Sequence, residues 1–221
     1  MWQALYEELS EKGFVVIAVS FDTRAPDASR PFIEAARPTH PSLLDPDHHV
    51  ADLYNMVNIP NAVWIDEDGR IVRPAESAGT GDEFRMMVRP GGIPADDRRR
   101  MVARRARYID AIRDWVEHGA ASRFVLQPED AAHRGRVHSP DDAQAFAHFR
   151  FGTWLARQGR HDESQSQLEI AVRLKPDSWA FRRQAWELQE VGKAGGPEFW
   201  AAVEALGTSH YYPPADLDSI S

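Results

Sequence analysis

Residues 43–72 read LLDPDHHVADLYNMVNIPNAVWIDEDGRIV, and this stretch decides the fold. A helix opening at Asp47 through HHVADLYNM is broken at Ile59-Pro60, because proline lacks an amide donor and pushes the preceding residue out of the helical region. Ala62-Val63-Trp64-Ile65 then reads as a strand, and Asp66-Glu67-Asp68-Gly69 as a hairpin turn with glycine where positive φ is wanted. Arg70-Ile71-Val72 starts the returning strand. Upstream, residues 14–21 (FVVIAVSF) are continuously apolar, as in a parallel strand covered on both faces. A polar loop over 22–30 ends in Ser29-Arg30-Pro31, a cap followed by proline in the first turn of a short helix. That helix stops near Arg37, before Pro38 and Pro41, and Ser42-Leu43-Leu44 forms a short strand. At the start, Trp2, Leu5, Tyr6 and Leu9 have the spacing of an amphipathic helix that Gly13 ends. The order is that of an α/β fold.

These residues also carry a family resemblance. Leu43-Leu44-Asp45-Pro46-Asp47, Tyr54, Ile59-Pro60, Trp64-Ile65-Asp66 and Asp68-Gly69-Arg70-Ile71-Val72 fit, in order and spacing, the central stretch of thioredoxin-like proteins. The chain most resembles redoxins of the thiol-specific antioxidant (AhpC/TSA) group and thiol–disulfide oxidoreductases of the ResA/TlpA type. Asn58 departs from the glycine common before this element. The likeness spans about residues 1–75. It implies a cis-proline loop in which Pro60 is cis and the Ile59 backbone faces a bound peptide or thiol. It further implies a redox-active Cys-x-x-Cys or peroxidatic cysteine at the N-terminal turn of a helix, where the dipole stabilises a thiolate. Residues 2–11 resemble the later part of that helix, so the first strand and active-site turn are expected to be missing from this chain. The missing strand is central in the family's sheet. Its loss should leave unpaired backbone groups or force the strands at 14–20 and 62–66 to pair directly.

The 221 residues contain no cysteine, so no disulfide, thiolate metal site or cysteine nucleophile can come from this chain. Two explanations stay open. Either the redox motif, with cysteine or selenocysteine, lies upstream of Met1, or the fold is a redox-dead scaffold for protein interaction. Twenty-six basic against 34 acidic residues leave a net charge of −8, against a general polyanion binder. No apolar run is long enough to span a membrane and no signal peptide opens the chain, so as written it reads as cytoplasmic, with localisation open if the start lies upstream. The nine histidines show no His-x₃-His with a carboxylate partner and are expected to be ordinary surface residues. No catalytic, cofactor-binding or metal-ligating residue is assigned. Only Ile59 and Pro60 stand as substrate-facing.

Residues 76–94 read as a loop with a short strand near 84–88. A long helix over 95–118 follows, with Met101, Val102, Tyr108, Ile109, Ile112, Trp115 and Val116 on one face and Gly119 ending it. Its arginines (98, 99, 100, 104, 105, 107, 113) read as a solvated polar face rather than a nucleic-acid stripe. Beyond, Gly152, Leu155, Gly159, Ser164, Leu168, Ala171 and Pro176 lie at tetratricopeptide-like spacing within 145–178. Residues 179–191 continue as a helix, with a short partner helix after Gly196.

The expected organisation is a redoxin domain over 1–126, a linker at 127–139, a small all-α tetratricopeptide-like domain over 140–208, and an irregular tail at 209–221. One and a half repeats bury too little alone. The helical part should therefore share an apolar interface with the face of Tyr108, Ile112 and Trp115, or dock a protein partner. Expected partners of an intact form are protein thiols or disulfides, or peroxide.

Overall fold

A computed structural model describes residues 1–24, 26–135 and 137–218. The elements run α1 (Trp2–Leu9), β1 (Ala18–Ser20), α2 (Arg30–Ala36), β2 (Ser42–Leu44), α3 (His49–Leu53), β3 (Asn61–Ile65), β4 (Ile71–Ser77), α4 (Ala95–His118), α5 (Pro128–Arg134), α6 (Pro140–Arg157), α7 (His161–Leu174), α8 (Trp179–Gln189) and α9 (Pro197–Ala205). The strands form two separate two-stranded sheets, β1 parallel to β2 and β3 antiparallel to β4. No helix among the described residues is long and apolar enough to cross a membrane.

The chain divides into two compact units that interleave along the sequence. The first joins the start of α1, the segment from Val15 through β1, α2, β2 and α3 to Asn58, and the helices from α6 to Trp200. These units cut across the boundaries expected at 126 and 140. The helices after α5 share one core with the β1–α3 segment: Phe21 and Ala51 pack with Ala145, Phe146, Phe149, Leu168, Ala171 and Phe181. The physical reason is the aromatic load of α6 and α8. Phe149 and Phe181 stack at 4.3 Å, Phe146 meets Phe181 edge-on, and a helical pair alone leaves such rings wet. Tyr108, Ile112 and Trp115, where that interface was expected, lie in the other unit.

His48 lies inside this core with 0% exposure, which overturns its reading as a surface residue. Its ring sits 4.6 Å from Phe149 and 5.3 Å from Phe21, and its Nε2–H donates to the Phe21 carbonyl at 2.9 Å. Just before it, Asp45 accepts the N–H groups of His49 (2.9 Å) and Val50 (2.7 Å) and so opens α3. That cap explains why α3 starts at His49 rather than Asp47. Polar contacts tie the two stretches of this unit together. Gln184 accepts both the N–H and the hydroxyl of Thr23, the Ala180 N–H donates to the Val57 carbonyl, and Arg150 reaches Asp52 at 2.6 Å.

The apolar run at 14–21 departs from expectation. Only Ala18–Ser20 forms a strand, and Val15 and Ile17 are 54% and 56% exposed. Continuous apolar residues suit a strand covered on both faces, whereas here Val15 and Ile17 stay exposed and β1 pairs only with β2 among the described residues. Among the described residues β1 and β3 belong to separate sheets, so the direct pairing foreseen as one outcome is not seen.

The helices α6 and α7 form an antiparallel hairpin at the expected place. Ser139 and Asp142 make a capping box at the start of α6, and Asp142 also takes the Nζ of buried Lys175 at 2.5 Å, joining the start of α6 to the end of α7. Burial alone would raise the Asp142 pKa, but the hydrogen bonds from Lys175 and Ser139 outweigh it and hold it at about 2. Gly152 lets the helices touch: a Cβ there would lie 2.9 Å from Leu168 Cγ and 3.2 Å from the Ser164 carbonyl oxygen. Gly152→Ala is therefore expected to destabilise by about 1–3 kcal/mol through overpacking, against the roughly 1 kcal/mol that alanine gains as a helix former. A chemical denaturation midpoint raised by the substitution would refute the close approach.

The second unit contains the end of α1, β3, β4, α4, α5 and the chain beyond Trp200. The β3–β4 turn follows the sequence reading: Asp66 Oδ1 accepts the N–H groups of Asp68 (3.1 Å) and Arg70 (2.7 Å), and Gly69 takes φ +80°. The strand pair is longer than read, because β4 continues to Ser77. Trp64 anchors the core. It stacks on Trp115 at 5.1 Å and its indole N–H donates to the Tyr108 hydroxyl at 2.9 Å, fixing α4 over the hairpin. Burial raises the Tyr108 pKa. Residues 84–88 hold no strand; a 3₁₀ turn spans Asp82–Met86, with its acidic first residues favourably placed at the N-terminal end. On α4, Val102 is exposed rather than part of the buried face. Most of its arginines are ion-paired: Arg99 with Asp96, Arg100 with Asp97, Arg104 with Glu83, Arg107 with Asp218, and Arg113 with Glu8 and Asp110.

Candidate functional site

The Ile59–Pro60 peptide is cis. It stands at the entry to β3, where Asn61 pairs with Ser77 and Ala62 with Glu76. Proline suits this place because a strand's first residue need not donate to the ladder. The Ile59 carbonyl accepts the Tyr212 hydroxyl at 2.8 Å, and the Pro60 carbonyl accepts the Ala78 N–H at 3.4 Å. Ile59 is 39% exposed and Pro60 is exposed.

Behind this entry lies a buried ionic cluster. Trp64 of β3 faces Arg73 of β4, whose guanidinium sits 5.4 Å from the indole centroid. Arg73 has 0% exposure, and every side of it is occupied. Nε and Nη2 form a two-pronged bond to Glu76 at 2.8 Å each, Nη1 donates to the Phe124 carbonyl at 2.9 Å, and Nη2 also donates to the Asp216 carbonyl at 2.7 Å. Asp82, at the start of the 3₁₀ turn, accepts the N–H groups of Tyr211 and Tyr212. Nearby, Arg104 forks onto Glu83, and its hydrogen bonds hold the Glu83 pKa below the usual carboxylate range.

The structure thus brings the two sequence-assigned residues, Ile59 and Pro60, to one place and adds Arg73, Ser77, Asp82 and Tyr212 around the same hairpin. Sequence reasoning missed these four. Arg73 and Glu76 gave no signal beyond their charges, and the tail at 209–218, read as irregular, has no regular structure yet is pinned. The pair Tyr211-Tyr212 before two prolines was the one available hint. Chemically, the groups gathered here are hydrogen-bond donors and acceptors suited to holding a main chain, and the chain carries no thiol to act as nucleophile.

No curated protein and no solved structure matches the chain. Residues 1–73, which run from α1 into β4 and include the cis-proline entry, match the family model described as the AhpC/TSA family, so the N-terminal part of this mixed α/β chain is similar to a thioredoxin-like redoxin.

Proposed function

We propose that the chain belongs to a thioredoxin-like redoxin, either peroxide-reducing or a thiol–disulfide oxidoreductase of the ResA/TlpA type. Ile59 and Pro60 face the peptide, thiol or peroxide substrate. The redox-active cysteine or selenocysteine is supplied by residues upstream of Met1, so the 221 residues alone are inactive. The family match over residues 1–73 carries this reading. The tetratricopeptide-like hairpin of α6 and α7 adds a place for a protein partner.

The test compares the purified chain with one extended by the in-frame coding sequence upstream of Met1. Disulfide reductase and thiol peroxidase turnover are expected only from the extended protein. Turnover by the 221-residue chain, with contaminants excluded, would overturn the assignment. The absence of cysteine also favours a second reading, a non-catalytic interaction scaffold that keeps the fold. An upstream sequence that lacks any thiol or selenol codon and restores no turnover would establish it.

A further inference from the structure

The chain beyond α9 has no helix or strand among its described residues, yet it is held at intervals. Arg85 donates to the carbonyls of Val203 (2.9 Å), Gly207 (3.1 Å) and Ser209 (3.2 Å). Asp82 accepts two consecutive N–H groups, of Tyr211 at 3.0 Å and Tyr212 at 2.7 Å. The Ser77 hydroxyl donates to the Pro213 carbonyl, and Arg73 donates to the Asp216 carbonyl. The Tyr211 ring is 2% exposed and lies 4.9 Å from Phe84, with Tyr212 on the same ring at 5.4 Å.

Most main-chain bonds of the tail run one way, and the Tyr212 hydroxyl returns one to the Ile59 carbonyl. Side chains of the hairpin and the 3₁₀ turn bind the main chain of the tail, while one aromatic residue fills a pocket. Peptides are recognised in this way: main-chain bonds supply affinity and a side-chain pocket supplies selection. The match to the tail is detailed. An acceptor stands where 211 and 212 present N–H groups, and donors stand at the carbonyls of 213 and 216. No side-chain acceptor is spent on Pro213 or Pro214, which have no N–H to give. The two prolines also fix φ at 213 and 214 before the segment binds, which lowers the ordering cost. Beyond them, Arg134 meets Asp216 at 3.3 Å and Arg107 meets Asp218, so acidic residues after the prolines complement the surface. The receiving side is built independently of the tail, since Glu76 and the Phe124 carbonyl fix Arg73, and Arg85 lies 3.5 Å from Asp82.

We propose that Arg73, Ser77, Asp82 and Phe84 form a groove for Tyr-Tyr-Pro-Pro peptides with an acidic residue two positions after the second proline, presented by a partner protein. In the structure the chain's own residues 211–216 occupy it as an intramolecular ligand. A tethered ligand competes at an effective concentration of about millimolar, so the groove opens to a partner only when the tail is displaced.

The test uses a fluorescein-labelled peptide of residues 209–218 (SHYYPPADLD) and the 221-residue chain. Anisotropy titration of the Tyr211→Ala/Tyr212→Ala chain, whose own tail is a poor competitor, should give at least tenfold tighter binding than the wild type. Adding Asp82→Ala to that variant should abolish it. A variant with wild-type circular dichroism that binds no tighter, or whose binding ignores Asp82→Ala, would overturn the proposal. Should the double variant not fold, hydrogen exchange on the wild type decides. Excess unlabelled peptide must speed exchange at the Tyr211 and Tyr212 amides, and unchanged exchange at saturation refutes the groove. Concentration-dependent dimerisation that Asp82→Ala abolishes would overturn the choice of partner and assign the groove to the tail of a second copy.

Discussion

Replacing Arg73 by methionine is expected to destabilise the protein by about 3–5 kcal/mol, the cost of leaving one member of a buried ion pair alone. The guanidinium is wholly buried and serves three acceptors at once: the Glu76 carboxylate and the carbonyls of Phe124 and Asp216. Methionine fills similar volume, so the loss isolates the polar contacts rather than a cavity. Arg73→Lys should recover little, because an ammonium has no planar fork to meet both oxygens of Glu76 and two carbonyls besides. Removing the stranded charge is the control. Arg73→Met/Glu76→Leu should regain a substantial part of the loss, since replacing both members of a buried pair by apolar groups is often near neutral. Urea denaturation of the four proteins checks this. A single Arg73→Met variant within 1 kcal/mol of the wild type (roughly the value of a lone surface pair) would show that the pair is not buried in solution.

The same cluster shows where the sequence stops being informative. The β3–β4 hairpin is legible because its signals are local: Asp66 and Gly69 dictate the turn, and apolar residues bracket it. The long helix α4 is legible for the same reason, with apolar spacing across 101–116 and Gly119 at its end. So is the α6–α7 hairpin, because Gly152, Ser164 and Ala171 fall where two helices must approach. What fails depends on distant partners. The burial of His48 is created by Phe149 and Phe181, which nothing in Asp-Pro-Asp-His announces. The interface expected for the C-terminal helices was misplaced for the same reason, as their aromatic core is completed by Phe21 and Ala51. Apolar continuity at 14–21 suggested full burial, but burial also needs neighbours, and β1 has one among the described residues. For the candidate site, Ile59-Pro60 was readable through family resemblance alone. Beyond the hint of Tyr211-Tyr212 before two prolines, the contacts around Asp82 were not readable, because Asp82 binds main-chain atoms that every residue type shares.

Acidification should weaken the first unit well before its carboxylates are expected to protonate, and His48 is the reason. Burial among Phe21, Phe149 and Phe181 lowers its pKa from 6.5 to about 4, although its hydrogen bond to the Phe21 carbonyl and the charges of Asp45 and Asp47 favour the cation, with Arg150 opposing it. In the unfolded chain the imidazole ionises near its ordinary value. Between the two values the unfolded chain binds a proton that the folded chain refuses, so stability falls as pH falls. The contribution is complete above pH 6.5 and is lost progressively down to pH 4, with a total of about 3 kcal/mol at 1.36 kcal/mol per pKa unit. That is a large share of the roughly 5–15 kcal/mol that holds a domain together. Denaturation midpoints at pH 7.5, 6, 5 and 4.5 should therefore decline steadily for the wild type. His48→Asn tolerates the left-handed backbone that His48 adopts at φ +55° and does not titrate. It should be less stable than the wild type at pH 7.5, because it leaves a cavity, but nearly flat from pH 7.5 to 5. NMR titration of the His48 ring adds a direct reading. A midpoint near 6.5 in the folded protein, or a pH slope that survives His48→Asn, would show that water reaches the ring and that the shared aromatic core is not closed around it.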